Sequence, residues 1–521
     1  MKIYKGSILS INNNDDVFQY LVEDNGKIVF VGNDLPEKFK GYSTIDLGNK
    51  ALIPAFVDTH QHFASFSTFH AGLNVMNAKS NIEIKEMIKD FVKKNNPKSL
   101  ICFGASPYSV KEGVLISKKE IDEVCSNIDV TIIKYDGHAC ILNSKLLNKL
   151  KSKLSNLRGY HFESGEMNQD AFFKVSEYIT KSISIPKLVK NMQDAMNYLA
   201  HKGIGMVHTV SGVGFPLNLD INLEKWVGRS AQSGIQFRVF PQPMDVKVAQ
   251  KKGLPRIGGC FQCALDGCFG SQDAALNESY QNSDDYGVLY YTDEKVIEFC
   301  KQANRAGLQI EMHAIGDKAF NQATKALKAA LDDFPRDNHR HTIIHACLPT
   351  KEGLSICKKY KINIAMQTSF INWAQEPDSY LNQILDEERL MCLNPTKQFF
   401  DLGLVVGAGS DAPCTDPDPI VWIDRAVNNP NKSEVITIKQ ALRMCTYNGY
   451  YISFDEKERG SLEVGKIADM VILSNNPYSI ASEDIKNLKV EQTILNGKEY
   501  KNQKQSFIVS LIKGIFSKKK I

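Results

Sequence analysis

Residues 51–63 read ALIPAFVDTHQHF, an apolar run that ends at Asp58 and is followed at once by His60 and His62. A continuous apolar run, without alternating polar residues, is typical of a parallel strand covered on both faces. Side chains of an extended chain alternate with a period of two, so His60 and His62 face the same way. We therefore predict a buried strand that delivers two imidazoles to one point at its end.

Seven further runs resemble this strand, and helical patterns such as residues 317–334 separate most of them. They are residues 203–210, 234–241, 258–266, 308–315, 341–347, 362–367 and 404–411. Eight strands with helical spacers predict an α/β protein built on a (β/α)8, TIM-like barrel.

Asn-Gly pairs signal tight hairpins, because both residue types tolerate positive φ. Two such pairs, Asn25-Gly26 and Asn496-Gly497, lie in β-rich pieces at opposite ends of the chain. We expect these pieces to join in one small sheet domain. The gap after the first run is too long for an ordinary connection. The predicted division is a sheet domain in two parts (1–54 and 455–500), a first barrel strand (55–63), an inserted α+β domain (64–199), the rest of the barrel (200–454) and an amphipathic basic tail (501–521).

The composition excludes several classes of partner. The formal net charge is only +4, which gives no reason to expect nucleic acid. Twelve cysteines without regular spacing fit a reducing cytoplasm. We expect no signal peptide, because no apolar segment follows Lys2 and Lys5. We expect no transmembrane helix, because no apolar run is long enough to span a bilayer. In the tail, apolar residues share one helical face: Ile508, Leu511, Ile512, Ile515 and Phe516. We expect this face to pack on the protein itself or on a second copy in a homodimer, with a membrane surface as the less favoured alternative.

Polar residues stand at the carboxyl ends of four of the predicted strands, where barrel enzymes build their active sites. They are His60, His62, His313, His345 and Asp411. A single histidine at such a place is more often structural, but five convergent residues of these types form a ligand set for zinc, iron or manganese. The sequence therefore predicts a metal site.

Seven motifs now support a resemblance: PAFVDTHQH, DGHACILNS, LDGCFGSQDAAL, HAIGDKA, RHTIIHA, GSDAP and GSLEVGKIADMVIL. In this order, and over nearly the whole chain, they resemble the amidohydrolase superfamily of metal-dependent hydrolases, in its N-substituted formamide deformylase-like branch. The resemblance implies a barrel, a small β-sandwich made from both chain ends (1–54 and 455–500), and an inserted lid domain (64–199) over the barrel mouth. It also implies metal ligation by the five residues above. It also implies that His138 lies near the substrate, although a purely structural loop histidine is the alternative.

The expected reaction is hydrolysis of a C–N bond in an amide, a formamide or a cyclic amide-like small molecule. A bound divalent ion activates water, Asp411 accepts its proton and passes it to the leaving nitrogen, and His345 or the ion stabilises the oxyanion. Deamination of an aminated ring at a mononuclear site uses the same parts and is the first alternative. A catalytically silent scaffold is the second.

The number of ions depends on one position. Relatives commonly carry a lysine four residues before the Asp-Gly of the fourth strand, and its carbamate bridges two ions. Here that position is Gln262, which cannot be carboxylated, so we expect one ion, preferably zinc, with Gln262 lining the pocket. Cys260 and Glu311 are expected to lie deeper in the barrel, and only a bulge brings Cys263 inward. Asp266 either binds substrate or fixes the turn that follows the strand.

Overall fold

Strands and helices alternate through most of the chain. The computed structural model describes residues 1–521 apart from 214, 216–217, 231–233 and 503–505. The strands are β1 (Lys2–Leu9), β2 (Val17–Asp24), β3 (Lys27–Gly32), β4 (Thr44–Pro54), β5 (Phe56–Gln61), β6 (Leu73–Asn74), β7 (Ser99–Ala105), β8 (Asp129–Lys134), β9 (Ala139–Leu142), β10 (Glu166–Asn168), β11 (Ile204–Ser211), β12 (Gln236–Pro241), β13 (Arg256–Ala264), β14 (Gln309–Ala314), β15 (Thr342–His345), β16 (Asn363–Met366), β17 (Val406–Ala408), β18 (Met470–Leu473), β19 (Val490–Leu495) and β20 (Lys498–Glu499).

The α-helices are α1 (Phe63–His70), α2 (Asn81–Asn95), α3 (Lys118–Val124), α4 (Ser144–Leu154), α5 (Gln169–Ser182), α6 (Ile185–His201), α7 (Leu219–Ser230), α8 (Val246–Lys252), α9 (Asp293–Arg305), α10 (Asp317–Asp333), α11 (Lys351–Tyr360), α12 (Asp378–Ile384), α13 (Glu387–Met391), α14 (Thr396–Asp401), α15 (Pro419–Val427), α16 (Ile438–Cys445), α17 (Tyr447–Ile452) and α18 (Phe507–Phe516).

All eight predicted apolar runs contain parallel strands, in a sheet of order β12–β11–β5 and a second of order β13–β14–β15–β16–β17. Every residue of β5 and β11 is buried, which explains their continuous apolar character. The amphipathic α10 turns its predicted stripe, including Phe320 and Leu327, into the core. The α/β class is thus confirmed. The strand ladders of the described residues do not close into one ring.

The end of β17 nevertheless reaches the end of β5. The Asp411 N–H donates to the His60 carbonyl at 2.9 Å, and the His62 N–H donates to the Ala412 carbonyl at 2.9 Å. The carboxyl ends of strands from the two sheets therefore meet at one place.

Both chain ends enter one seven-stranded sheet of order β20–β19–β18–β4–β1–β2–β3. Its two predicted turns have the expected backbone: φ is 49° and 85° at Asn25 and Gly26, and 51° and 71° at Asn496 and Gly497. The run at 51–58 is shared between sheets. It belongs to β4 as far as Pro54, and β5 starts at Phe56.

Residues between β5 and β11 form a separate five-stranded sheet of order β10–β9–β8–β7–β6. Helices α2 to α5 connect or follow its strands along the chain. This inserted sheet contacts loops at the carboxyl ends of the eight parallel strands. The Gln375 side-chain amide donates to the Met76 carbonyl at 2.8 Å, and the Tyr108 hydroxyl donates to the Gly270 carbonyl at 3.0 Å. The insertion therefore lies over the side where the strands end.

The C-terminal helix α18 packs on the body of the protein through small residues. The Gln193 amide donates to the Ser510 hydroxyl at 2.9 Å, and a Cβ at Gly514 would stand 2.1 Å from the Trp226 carbonyl oxygen. Most of the predicted apolar face, including Ile508 and Phe516, consequently points outward and is exposed. Of the helices that the structure describes, none has the length and apolar character needed to cross a membrane.

Candidate metal centre

The five predicted ligand residues meet at the carboxyl ends of the parallel strands, and all are buried. His60 lies on β5 and His62 directly follows it, His313 lies on β14, His345 ends β15, and Asp411 follows β17. The structure therefore brings together every residue from which the metal site was predicted.

Asp411 stands between the two histidines of the opening motif. Its Oδ1 atom lies 3.1 Å from His60 Nε2 and 3.2 Å from His62 Nε2. Burial alone would raise the pKa of this carboxyl, but the imidazoles of His60 and His62 hold it well below its usual range. Asp411 is therefore an anion that faces two ring nitrogens.

A buried glutamate supports the chain on the far side of His62. One Glu224 carboxyl oxygen accepts from the Ala64 N–H at 3.0 Å, and the other accepts from the Thr209 hydroxyl at 3.1 Å. Burial, and then the carboxylate of Asp220, raise the pKa of Glu224 from 4.5 to about 8. Glu224 thus fixes the first turn of α1, whose N-cap is His62.

Cys260 lies at the centre of the cluster, and the expectation that it would lie deeper in the barrel was wrong. Its Sγ is 3.2 Å from His60 Nε2, 3.4 Å from His313 Nδ1 and 3.8 Å from His345 Nε2. A bulge in β13 is the reason: Gly259 pairs with Met312, and the next paired residue on β13 is Ala264, opposite His313.

The bulge rearranges the other residues of this strand as well. Gln262 is exposed and lines a cavity, and Phe261 has a left-handed φ of 50°. Cys263 does not turn inward; its sulfur donates to the Gln242 carbonyl at 2.9 Å. Gly258, with φ of 121°, precedes the bulge, and a Cβ there would stand 1.8 Å from the Glu311 carbonyl oxygen. The pair of glycines before Cys260 was the only sequence signal of this irregularity.

Outer hydrogen bonds set the protonation of two of the rings. His313 Nε2 lies 3.1 Å from the Gly267 carbonyl, which can only accept, so Nε2 carries a proton and Nδ1 is the nitrogen that the neutral ring offers to a cation. Burial lowers the pKa of His313, but the carboxylate of Asp266 raises it above its usual value on balance. His345 Nδ1 lies 2.5 Å from Gln367 Oε1, and the Gln367 amide nitrogen donates to the Ala365 carbonyl. Nε2 of His345 is therefore bare. Burial, and then the charge of His313, hold the pKa of His345 well below its usual value.

Asp266 is engaged by the backbone. Its two carboxyl oxygens accept from the N–H groups of Ile315, Gly316 and Ala275 at 2.7–3.0 Å. It also lies 3.4 Å from His313 Nε2. Of the two predicted roles for Asp266, this geometry favours fixing the turn and orienting His313, as second-shell carboxylates do at metal sites.

A cavity of about 1200 Å³ opens from the cluster between the strand ends and the inserted sheet. His138 lines it together with His62 and Asp411. Further residues that the sequence did not single out also line the cavity, among them Lys134, Asp136, Glu376, Phe172, Phe173, Phe261, Phe370 and Trp373. Their side chains come from strands, helices and loops that only tertiary packing brings together.

Two aromatic rings continue the wall that starts at His345. The Phe370 ring stacks on His345 with centroids 5.9 Å apart, and Trp373 stacks on Phe370 with centroids 4.8 Å apart. A polar part of the cavity wall contains the Lys134–Asp136 ion pair at 2.8 Å. The cavity therefore offers an apolar wall for a flat or aliphatic group beside the histidine cluster.

The spacing of the donor atoms fits a cation. Ligand bonds of 2.0–2.2 Å at ordinary coordination angles place neighbouring nitrogen and oxygen donors roughly 2.9–3.4 Å apart, the range seen around Asp411 Oδ1. This oxygen receives no aligned hydrogen bond, although two ring nitrogens are within 3.2 Å. Of the described His, Cys, Asp and Glu residues, His60, Cys260, His345 and Asp411 form a group whose ligand atoms lie within 4.8 Å of one another.

The sequence pattern of the amidohydrolase family matches residues 43–500, and the chain belongs to this family. It is therefore an enzyme that hydrolyses C–N bonds, which removes the scaffold alternative. YtcJ of Bacillus subtilis is 24% identical over 89% of this chain and 92% of its own. The N-substituted formamide deformylase of Arthrobacter pascens is 20% identical over 95% of this chain and 97% of its own.

A solved structure agrees with this fold. A metal-dependent hydrolase from Pyrococcus horikoshii superposes with a TM-score of 0.75 at 22% identity, over 92% of this chain and 99% of that one. At this level of identity the similarity concerns the fold alone.

Proposed function

We propose that this enzyme uses a divalent metal ion to hydrolyse the C–N bond of an amide, a formamide or a cyclic amide-like small molecule. The observation that carries the proposal is the convergence of four histidines and Asp411 at the carboxyl ends of the parallel strands. In this account the eight strands form one (β/α)8 barrel, since hydrogen bonds link the ends of β17 and β5.

The sheets support a domain division that is part of this proposal. In it, residues 1–54 and 455–500 form the sandwich, 55–63 and 200–454 the barrel, 64–199 a lid, and 501–521 the tail. The position of the inserted sheet beside the cavity supports a lid that shields the reaction from water.

The metal ligands in this proposal are His60, His62, His313 and Asp411, with His345 adjacent. Imidazole and carboxylate donors suit zinc first, and iron or manganese second. When bound, a divalent ion supplies Lewis acidity and lowers the pKa of water to about 7.

The residues of the chain then manage protons and position. Asp411, which is ionised and buried beside the ring nitrogens, accepts the proton of the attacking water and returns it to the leaving nitrogen. The hydrogen bonds of His313 to Gly267 and of His345 to Gln367 hold both rings in fixed tautomers. His345 carries no proton on its inward nitrogen, so it suits ligation better than donation to an oxyanion.

The cavity indicates the class of substrate. Its aromatic wall beside His345 suits an N-substituent or acyl group that is apolar, and Lys134, Asp136 and His138 provide polar contacts elsewhere in the wall. The same stacked rings would accept a heterocycle, so deamination of an aminated ring is the second candidate.

The surroundings of the enzyme are also part of the proposal. All twelve cysteines are free thiols, which supports a reducing compartment such as the cytoplasm. The partner is a small molecule, and a homodimer stays a prediction.

A substrate panel tests the function. Purified zinc-loaded enzyme is incubated with formamides, N-acyl compounds, lactams and aminated heterocycles, and the released acid, amine and ammonia are measured separately. Acid plus amine from formamides or N-acyl compounds, or the ring-opened amino acid from lactams, supports the proposal, whereas ammonia from heterocycles alone selects the deaminase. Zinc-loaded enzyme that hydrolyses no member of any class contradicts both.

A further inference from the structure

We propose that the thiolate of Cys260 bridges two divalent ions, one on the side of His60, His62 and Asp411 and the other on the side of His313 and His345. This inference rests on the proposed function, because it assumes that the cluster binds metal. It replaces the expectation of a single ion, which depended on the lack of an anionic side chain at the position of Gln262.

The distances around the sulfur support the bridge. A zinc–sulfur bond of 2.3 Å and a zinc–nitrogen bond of 2.0–2.1 Å place the two ligand atoms roughly 3.1–3.8 Å apart at ordinary coordination angles. Cys260 Sγ stands 3.2 Å, 3.4 Å and 3.8 Å from nitrogens of His60, His313 and His345. These rings come from β5, β14 and β15, so the sulfur has imidazoles on more than one side.

The tautomers of His313 and His345 also support a bridging role for Cys260. The outer nitrogens of His313 and His345 donate to Gly267 and Gln367, so each ring in its neutral form turns a bare nitrogen toward the sulfur. A thiol has one proton and can satisfy only one such lone pair. Two bare nitrogens that face the same sulfur are therefore poorly matched to a thiol and well matched to a cation between them.

The number and charge of the donors favour two ions over one. Zinc in proteins is usually four-coordinate, sometimes five-coordinate, whereas six side chains converge here: His60, His62, Cys260, His313, His345 and Asp411. Two adjacent dications repel each other and need anions between or beside them. Asp411 is one such anion. Burial raises the pKa of the Cys260 thiol well above its usual range, so Cys260 becomes the second anionic donor when a bound cation displaces its proton, whereas the exposed Gln262 supplies no charge.

Reconstitution with Co²⁺ tests the bridge without measuring turnover. The metal-free wild-type protein is titrated with Co²⁺ while bound metal is counted and the near-ultraviolet thiolate-to-Co²⁺ charge-transfer band is recorded. Cys260→Ser is the test variant. Cys263→Ser is the matched control, because that thiol contacts the Gln242 carbonyl and lies away from the cluster.

We expect two equivalents and a charge-transfer band in the wild-type protein and in Cys263→Ser. In Cys260→Ser the band should vanish and the second equivalent should bind at least about 100-fold more weakly, since loss of a mere supporting contact already costs 10–100-fold. One equivalent in the wild-type protein, or two tight equivalents in Cys260→Ser, would overturn the bridge while leaving the proposed function intact. No bound metal in the wild-type protein would overturn both.

Discussion

Replacing Glu224 by glutamine should stabilise the protein at alkaline pH and much less at acidic pH. The Glu224 side chain is completely buried and accepts hydrogen bonds from Ala64 and Thr209. Its pKa is about 8 in the folded protein, against an ordinary value of 4.5. Between these values the folded state retains a proton that the unfolded chain has lost, so the wild-type protein loses stability as the pH rises.

The size of the effect follows from this pKa difference. Each pH unit between the two pKa values costs about 1.4 kcal/mol, so the full penalty approaches about 5 kcal/mol above pH 8. A glutamine at this position is neutral at every pH, so Glu224→Gln removes this penalty. Near pH 5 the penalty is below about 1 kcal/mol, and the advantage of Glu224→Gln should therefore grow by about 4 kcal/mol between about pH 5 and pH 8.5.

Urea denaturation of the metal-free proteins at both pH values measures this growth. Any loss of hydrogen bonding in Glu224→Gln that does not depend on pH cancels when the stabilities at the two pH values are compared. Glu387→Gln, at an exposed position on α13, is the control. An advantage of Glu224→Gln that is equal at the two pH values, or smaller at the alkaline one, would refute the reasoning.

Three further predictions concern the site itself. Asp411→Asn should fold normally, as judged by circular dichroism, but its kcat should fall by about 10²–10⁴-fold, because general acid–base catalysis supplies that factor. The control Asp401→Asn, at an exposed position, should keep the wild-type kcat. Phe370→Ala should raise KM for apolar substrates by about 10- to 150-fold, as removal of an apolar contact worth about 1.5–3 kcal/mol implies, with no comparable change for small polar amides. Chelation should abolish hydrolysis and lower the Tm, and added zinc should restore both, because a ligand bound only by the folded state stabilises it.

The sequence predicted those parts of the molecule that repeat or that follow local rules. All eight parallel strands lie at the predicted apolar runs, because burial on both faces demands continuous apolar residues. Both hairpins follow from Asn-Gly pairs that tolerate positive φ. The five polar residues at strand ends converge because parallel strands end on the same side.

The centre of the cluster could not be predicted, because it depends on an irregularity. A regular strand would have placed Cys260 below the ligands, and the bulge between Gly259 and Ala264 raises it among them. Likewise, Phe370 and Trp373 lie in a loop after β16 whose path depends on tertiary packing. Neither position carries a periodic signal or a motif.

The central claim, a metal-dependent hydrolase centred on the histidines of the first barrel strand, is tested most directly by elemental analysis. Protein is purified from medium with added zinc, manganese or iron, as wild type and as the double variant His60→Ala/His62→Ala. The account predicts near-stoichiometric metal or more in the wild-type protein, and its loss, together with all hydrolysis, in the double variant. Full metal occupancy or undiminished hydrolysis in the double variant would contradict it.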